Sequence, residues 1–327
     1  MKIIKNIALF SFANQIILKL RIIVIRKAGV LTILNLHRVS EKDGSAYQSL
    51  TPAIFNELLL FIKKNFELTT FENLNSLAVS GKPKLILSFD DGYKDFIEYA
   101  VPILEKHHIS VNQNIIPECV ERKCPPINVI AQDFIGRAPS SLLKQLKISG
   151  TDIRFFNSNR YQMGLHVSSF IKNRPMSEQR ELEEELMPQF LNMDNFVPTA
   201  MMSLEEVRQL IGVHELGAHS YSHASMRFES DEYFQRDMVN CRDYFLNFIK
   251  NPVDIYAFPN GSFREPQINM AKDFGYKHIL LVNNSFSNYQ TDVHNRFGFY
   301  ANSKREGFFR AVGGFKYPYA NNLKHVI

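Results

Sequence analysis

The chain has 327 residues, 45% of them hydrophobic and 22% charged, which suits one large α/β domain or two small ones and excludes a disordered polypeptide. A formal charge of +5 is modest at this length, and no lysine and arginine stripe interleaves with aromatics, so a nucleic-acid partner is not expected. Cys119, Cys124 and Cys241 are an odd number without metal-ligand pairing; no disulfide framework is expected and a reducing compartment is compatible.

The first 30 residues are apolar but interrupted. Ile7 to Leu18 follow Lys2 and Lys5, yet Asn14 and Gln15 fall inside the run and Lys19 and Arg21 close it. No small-residue cleavage site follows, and the run is too short and too charged to span a bilayer. Residues 1–29 are expected to form a helical segment, and two readings stay open: a helix lying in a membrane surface, giving peripheral contact, or one packed across the domain. The compartment expected is cytoplasmic, with membrane association left open.

Residues 30–327 are expected as a single domain. Val30 to His37 reads as a strand with a histidine at its carboxyl end. Thr51 and Pro52 open a helix, and Ile54, Phe55, Leu58, Leu59 and Ile62 repeat at helical spacing. Lys84 to Phe89 is a buried strand that runs into Asp90, Asp91 and Gly92. Neighbouring side chains on a strand point to opposite faces, so the two aspartates share one site only if the strand ends there and the chain turns, which Gly92 permits. A plain polar turn fits the same three residues.

Tyr93 to His107 is a second helix that Pro102 is expected to bend, and Ser110 to Ile116 is the next strand. Val111, Asn112, Gln113 and Asn114 put amides where apolar strand residues are expected, either to hydrogen-bond a polar ligand or to satisfy one another. Residues 120–200 break the alternation with a glutamate-rich helix from Ser177 to Leu191 and an aromatic, basic stretch from Arg154 to Tyr161. They read as an insertion, beside a substrate groove or as a structural cover.

Ser203 and Glu206 form a capping box before Val207, Leu210 and Ile211, and a short strand at Leu216 to Ala218 follows. His219 and His223 come next, at i and i+4, which one helical turn brings onto one side. Phe234, Met238, Cys241, Phe245 and Phe248 mark another helix, with strands at Val253 to Phe258 and His278 to Val282. Strand then helix, repeated, means a parallel sheet, and closing it gives a barrel whose active site lies at the carboxyl ends of the strands. One carboxylate and two histidines make a catalytic metal set with a position open for water.

Ser88-Phe89-Asp90-Asp91-Gly92 and His219-Ser220-Tyr221-Ser222-His223 resemble the first two motifs of the polysaccharide deacetylase family, carbohydrate esterase family 4. Ile255-Tyr256-Ala257-Phe258-Pro259-Asn260-Gly261 is similar to its third motif, and Phe274-Gly275-Tyr276-Lys277 to the segment after it. The likeness covers about residues 30 to 300, except 120–200. It implies a distorted (β/α) barrel of the deacetylase type with an insertion at about 120–200, and a hydrolase that removes an N-acetyl group from a sugar of a bacterial surface polysaccharide or its precursor.

In the roles the resemblance implies, Asp91, His219 and His223 hold a divalent ion, zinc before others, and Asp90 is the general base. The backbone N–H of Asn260, after Pro259, meets the oxyanion. His37 resembles the general-acid histidine of a branch that carries it at the start of the fold. Deformylation or O-deacetylation of a free or lipid-linked sugar would use the same machinery, and a non-catalytic carbohydrate-binding protein on this fold is the alternative from another class. One departure matters: the family arginine two residues before the motif proline is Ala257 here, and Arg38 or Arg296 is expected to hold Asp90 in its place.

Overall fold

The structure, a computed structural model, describes residues 14–74, 81–151, 159–316 and 318. Residues 1–13 of the expected N-terminal segment, and most of the stretch that begins at Arg154, lie outside them. Eight parallel strands are described: β1 (Thr32–Leu36), β2 (Glu67–Leu68), β3 (Lys84–Phe89), β4 (Asn112–Ile115), β5 (Glu215–Ala218), β6 (Ile255–Ala257), β7 (His278–Val282) and β8 (Val293–Gly298). Their order is β1-β8-β7-β6-β5-β4-β3, and β1 pairs with β3, so seven strands close into a barrel. The short β2 pairs with Lys84 and Leu85 at the start of β3, below the level at which β4 joins.

The helices in chain order are α1 (Gln15–Ala28), α2 (Pro52–Asn65), α3 (Val101–His107), α4 (Pro117–Arg122), α5 (Ile127–Arg137) and α6 (Ser140–Gln145). After them come α7 (Arg160–Lys172), α8 (Met176–Phe190), α9 (Leu204–Gln209), α10 (Asp231–Tyr244), α11 (Glu265–Phe274) and α12 (Lys304–Ala311). Local chemistry sets their ends. The Asn14 side chain accepts from Ile16 N at the start of α1, which Gly29 closes at a left-handed φ of 63°. Ser203 and Glu206 make both hydrogen bonds of the capping box before α9. Pro102 does not bend a continuous helix: a π-turn at Phe96–Ala100 leads into α3, where the proline occupies the first turn and needs no N–H partner. A second π-turn, Phe245–Ile249, follows α10 and leaves Phe248 exposed, away from the stripe that its spacing suggests.

Strand alternation divides the core. Leu34, Leu36, Leu85, Leu87 and Phe89 face outward into the helix layer, where Phe89 meets Phe55 and Phe96 edge-on. Leu31, Ile33, Ile86, Ile255, Ala257 and Leu280 form a separate apolar cluster inside the barrel. Above it the inward positions turn polar: Asn35, Ser88, Asn112, Asn114 and Arg296 are all buried. Asn112 and Asn114 bond each other at 3.0 Å, and Ser88 Oγ donates to Asn112 at 2.7 Å, so these amides satisfy one another inside the barrel. Gly217 makes room for them, since a Cβ there would fall 2.1 Å from Asn114 Oδ1.

Helices α5 to α8 form their own core around Ile130, Phe134, Val167, Leu182, Leu186 and Phe190, distinct from the barrel's. In α8, Leu182, Leu186 and Phe190 recur every four residues on the buried side and the glutamates face away. Arg160 of α7 donates to the carbonyls of Ile135, Gly136 and Ala138 at the carboxyl end of α5. Arg137 reaches Asp43 in the loop after β1, which ties this helical unit to the carboxyl mouth of the barrel.

Candidate active site at the barrel mouth

The inward positions of β1, β3 and β5 continue past the strands to His37, Asp90 and His219. Asp90 N donates to the Leu36 carbonyl, which prolongs the β1–β3 ladder by one bond. The chain then turns through two left-handed residues, Asp91 at φ 79° and Gly92 at φ 84°. For a non-glycine residue that conformation costs about 1–2 kcal/mol. It brings the Asp91 carboxylate to the same mouth as Asp90.

Asp91 Oδ1 lies 3.3 Å from His219 Nε2 and 3.4 Å from His223 Nε2, and one donor atom from each of the three residues falls within 4.8 Å of the others. All three are buried, and Asp91 Oδ1 has no hydrogen-bond partner. His219 Nδ1 is 2.8 Å from the Ala257 carbonyl. A carbonyl only accepts, so Nδ1 carries the proton and Nε2 turns a lone pair toward Asp91. A carboxylate oxygen without a partner, facing imidazole nitrogens, is a donor set that fits a divalent cation.

His219 and His223 do not share a helical turn. They lie in a loop in which Ser220 and His223 have φ of 59° and 63°. That loop is wrapped on a buried carboxylate, Asp237 of α10, whose Oδ1 accepts from Ser220 Oγ at 2.7 Å and from Tyr221 N at 2.9 Å. Tyr256 OH donates to its other oxygen at 3.1 Å. Burial raises the Asp237 carboxyl to about 6 against the pull of these three donors.

Asp90 is held differently. Arg296 Nη1 and Nη2 donate to its two oxygens at 2.8 and 2.9 Å, and Asn114 Nδ2 adds a third bond at 2.7 Å. Burial alone would raise this carboxyl, but the charge and hydrogen bonds of Arg296 hold it well below the usual carboxylate range. Of the two arginines considered for this place, Arg296 lies on Asp90, whereas Arg38 is committed to Asp95 at 2.7 Å and Asp43 at 2.9 Å.

His37 meets Tyr47 edge-on with ring centroids 6.3 Å apart. Burial lowers its pKa, and the nearby carboxylates of Asp91 and Asp90 oppose the drop. Pro259 is buried, and Asn260, at φ 59°, donates from Nδ2 to Ser225 Oγ at 3.0 Å, two residues beyond His223. His37, Tyr47, Tyr161, Lys172, Tyr300 and Arg310 line a cavity of about 1040 Å³, with one wall from the helical insertion and another from α12. Burial lowers the pKa of the Lys172 ammonium, and the charge of Asp91 opposes it.

One strand and one carboxylate escape a reading of the sequence, although it does offer Arg296 as a partner for Asp90. Arg296 sits on β8, whose run Val-His-Asn-Arg-Phe-Gly has too many polar residues to read as a strand, and Asp237 sits within the apolar spacing Phe234, Met238, Cys241. A carboxylate on the buried side of an amphipathic helix is the signal that could have found the second.

A closed parallel barrel with two aspartates and three histidines gathered at its carboxyl mouth is a (β/α) barrel of the deacetylase type. The family model described as Polysaccharide deacetylase matches residues 78–279, more than half of the chain, and the protein belongs to that family. His37 and Arg296 lie outside the matched segment. Among solved structures, the Streptococcus pyogenes deacetylase PplD, in complex with acetate, is 15% identical with a TM-score of 0.57, over 86% of this chain and 98% of that one. IcaB from Ammonifex degensii is 12% identical with a TM-score of 0.53, over 87% and 97%. A de-N-acetylase from Aggregatibacter actinomycetemcomitans is 14% identical with a TM-score of 0.53, over 85% and 99%. At these identities the likeness shows the fold. No curated protein matches the sequence. Family membership makes the chain a hydrolase of the carbohydrate deacetylase class.

Proposed function

We propose that the protein is a zinc-dependent de-N-acetylase acting on an N-acetylated sugar of a bacterial surface polysaccharide or its precursor. The observation that carries this reading is the unpartnered Asp91 Oδ1, facing His219 Nε2 and His223 Nε2 beside a second carboxylate clasped by arginine. Asp91, His219 and His223 would hold the ion, which when bound polarises the substrate carbonyl and makes water more acidic. The family, described as Polysaccharide deacetylase, supports the choice of a sugar, and the neighbours named as a deacetylase and a de-N-acetylase support that of an acetamido group.

The chain's own groups divide the remaining work. Asp90, kept ionised by Arg296, takes a proton from the attacking water at Oδ2, which accepts a single hydrogen bond and faces His219. The backbone N–H of Asn260 donates to the oxyanion of the tetrahedral intermediate. An amine leaves only when protonated, and His37, on the cavity side of Asp90 and Asp91, supplies that proton. Burial disfavours its imidazolium, and the charges of Asp91 and Asp90 offset part of that penalty.

The test incubates zinc-loaded protein with N-acetylated, N-formylated and O-acetylated sugars and assays the released acid. Acetate from an N-acetylated sugar is expected, and about a hundredfold slower release is expected from His37→Ala with its metal content unchanged. Formate alone would move the reading to deformylation. Release of no acid from any sugar would leave a carbohydrate-binding protein.

A further inference from the structure

Helix α1 is apolar on two opposite sides. Leu18 and Ile25 are buried against the domain and Ile22 packs beside them. Ile16, Leu20, Ile23 and Val24 fall on the other side of the helix and are 67%, 56%, 40% and 47% exposed. Their spacing, i, i+4, i+7 and i+8, is that of a face built to be covered. A helix that only closes a domain needs one such face.

Arg21 fixes how α1 sits. Its guanidinium donates to the carbonyls of Val312 at 3.1 Å and Lys316 at 2.6 Å and lies over the Phe309 ring. These contacts grip the segment after α12 that walls the cavity beside His37, and on that segment Phe315 is 67% exposed.

Charge identifies what covers the face. Lys2, Lys5, Lys19, Arg21, Arg26, Lys27 and Arg38 precede the first acidic residue of the chain, Glu41. Lys19 and Arg26 are exposed along one flank of the stripe, and Lys27 is exposed at its carboxyl end. We propose that this face docks on an anionic lipid bilayer, with Ile16, Leu20, Ile23 and Val24 entering the acyl boundary and the three cations meeting headgroup phosphates. A second copy of the chain would bring the same cations together about a two-fold axis, with no carboxylate in the stretch to offset them. Docking there sets the α12 wall of the cavity beside the membrane. The inference is independent of the catalytic reading.

The test sediments the full-length protein with vesicles of phosphatidylcholine alone and of phosphatidylcholine mixed with phosphatidylglycerol. Binding to the mixed vesicles is expected, about tenfold or more weaker on the neutral ones and in high salt. Replacing Ile16, Leu20, Ile23 and Val24 together by serine should abolish it, leaving Tm and deacetylation of a water-soluble sugar unchanged. Charge reversal by Lys19→Glu, Arg26→Glu and Lys27→Glu should abolish it too. Equal sedimentation of the wild type and the serine variant, or none with either vesicle, overturns the proposal. So does a wild-type dimer that the serine variant dissolves, which would give the face to a second copy. Slow amide exchange along residues 1–13 without vesicles would also overturn it, because the chain would then cover the face itself.

Discussion

Arg296 clasps Asp90 through two parallel bonds of 2.8 and 2.9 Å, with both side chains fully buried although the two residues stand 206 positions apart in the chain. The arginine comes from β8 and the aspartate from the end of β3, and β1 runs between the two strands. Arg296 crosses β1 by way of Asn35 Oδ1 at 3.2 Å. Position 257, where the family's third motif places an arginine, is a buried alanine whose carbonyl orients His219 instead. A charge supplied by a different strand thus meets the same carboxylate.

Arg296→Gln should therefore act on Asp90 in two ways. Removing one partner of a buried ion pair costs about 3–5 kcal/mol, which thermal melts would report. The Asp90 carboxyl should also rise toward ordinary values, so the acid limb of kcat/KM moves to higher pH. Arg296→Lys keeps the charge but loses the planar fork, and should restore the limb more fully than the rate. A purely structural role for Arg296 would lower Tm and leave the limb where it is.

The two adjacent aspartates should separate in metal content. Asp91→Ala removes the one carboxylate oxygen that both histidines face, and zinc should be lost on elemental analysis. Asp90→Asn leaves those three donors in place and should keep the metal while losing most activity. Equal loss of metal in both variants would overturn this division.

The turn at Asp90, Asp91 and Gly92 is legible in the sequence because two carboxylates and a glycine after a run of apolar residues leave few other uses for the segment. Strands β1 and β3 to β7 are legible for a related reason: each is a short run between turn signals, and helices alternate with them. β8 is not, since its inward positions, His294 and Arg296, serve a hydrogen-bonding network and not the apolar core. The spacing of His219 and His223 suggests a helical turn, but two left-handed residues and the Asp237 carboxylate impose a loop that brings the imidazoles together by another route. Tertiary partners decide such segments, and no local pattern announces them. The helical unit from α5 to α8 shows its apolar spacing in α8, whereas its position over the mouth depends on contacts such as Arg137 with Asp43.

Asp237 touches neither imidazole, yet it sets the loop that carries both. Asp237→Ala would leave Ser220 Oγ and the Tyr221 amide without their buried acceptor. A weakening of metal affinity of about 10–100-fold is expected, read by competition with a chelator. Unchanged affinity, with only a lower Tm, would make Asp237 a packing residue.

At the opposite end of the barrel, His294 sets a dependence of stability on pH. It is buried, with Nε2 3.1 Å from His278 Nδ1 and Nδ1 3.2 Å from Ser287 Oγ, and burial together with the neighbouring histidine pushes its pKa down to about 3. In the unfolded chain the same group titrates near 6.5. The contribution of the neutral imidazole is therefore fully present above pH 6.5 and is lost as the pH falls from there toward 3, at up to about 1.4 kcal/mol per pH unit. Glu215, raised to about 7, and Asp237, raised to about 6, work the other way over part of this range, because they gain protons more readily in the folded state. The net slope of the wild type is thus a mixture, and the difference between wild type and His294→Gln isolates the histidine. Denaturant unfolding at pH 7.5, 6, 5 and 4 should show the wild type losing stability relative to the variant at each step below 6.5. A gap that stays constant with pH would mean that His294 is not held neutral by its burial.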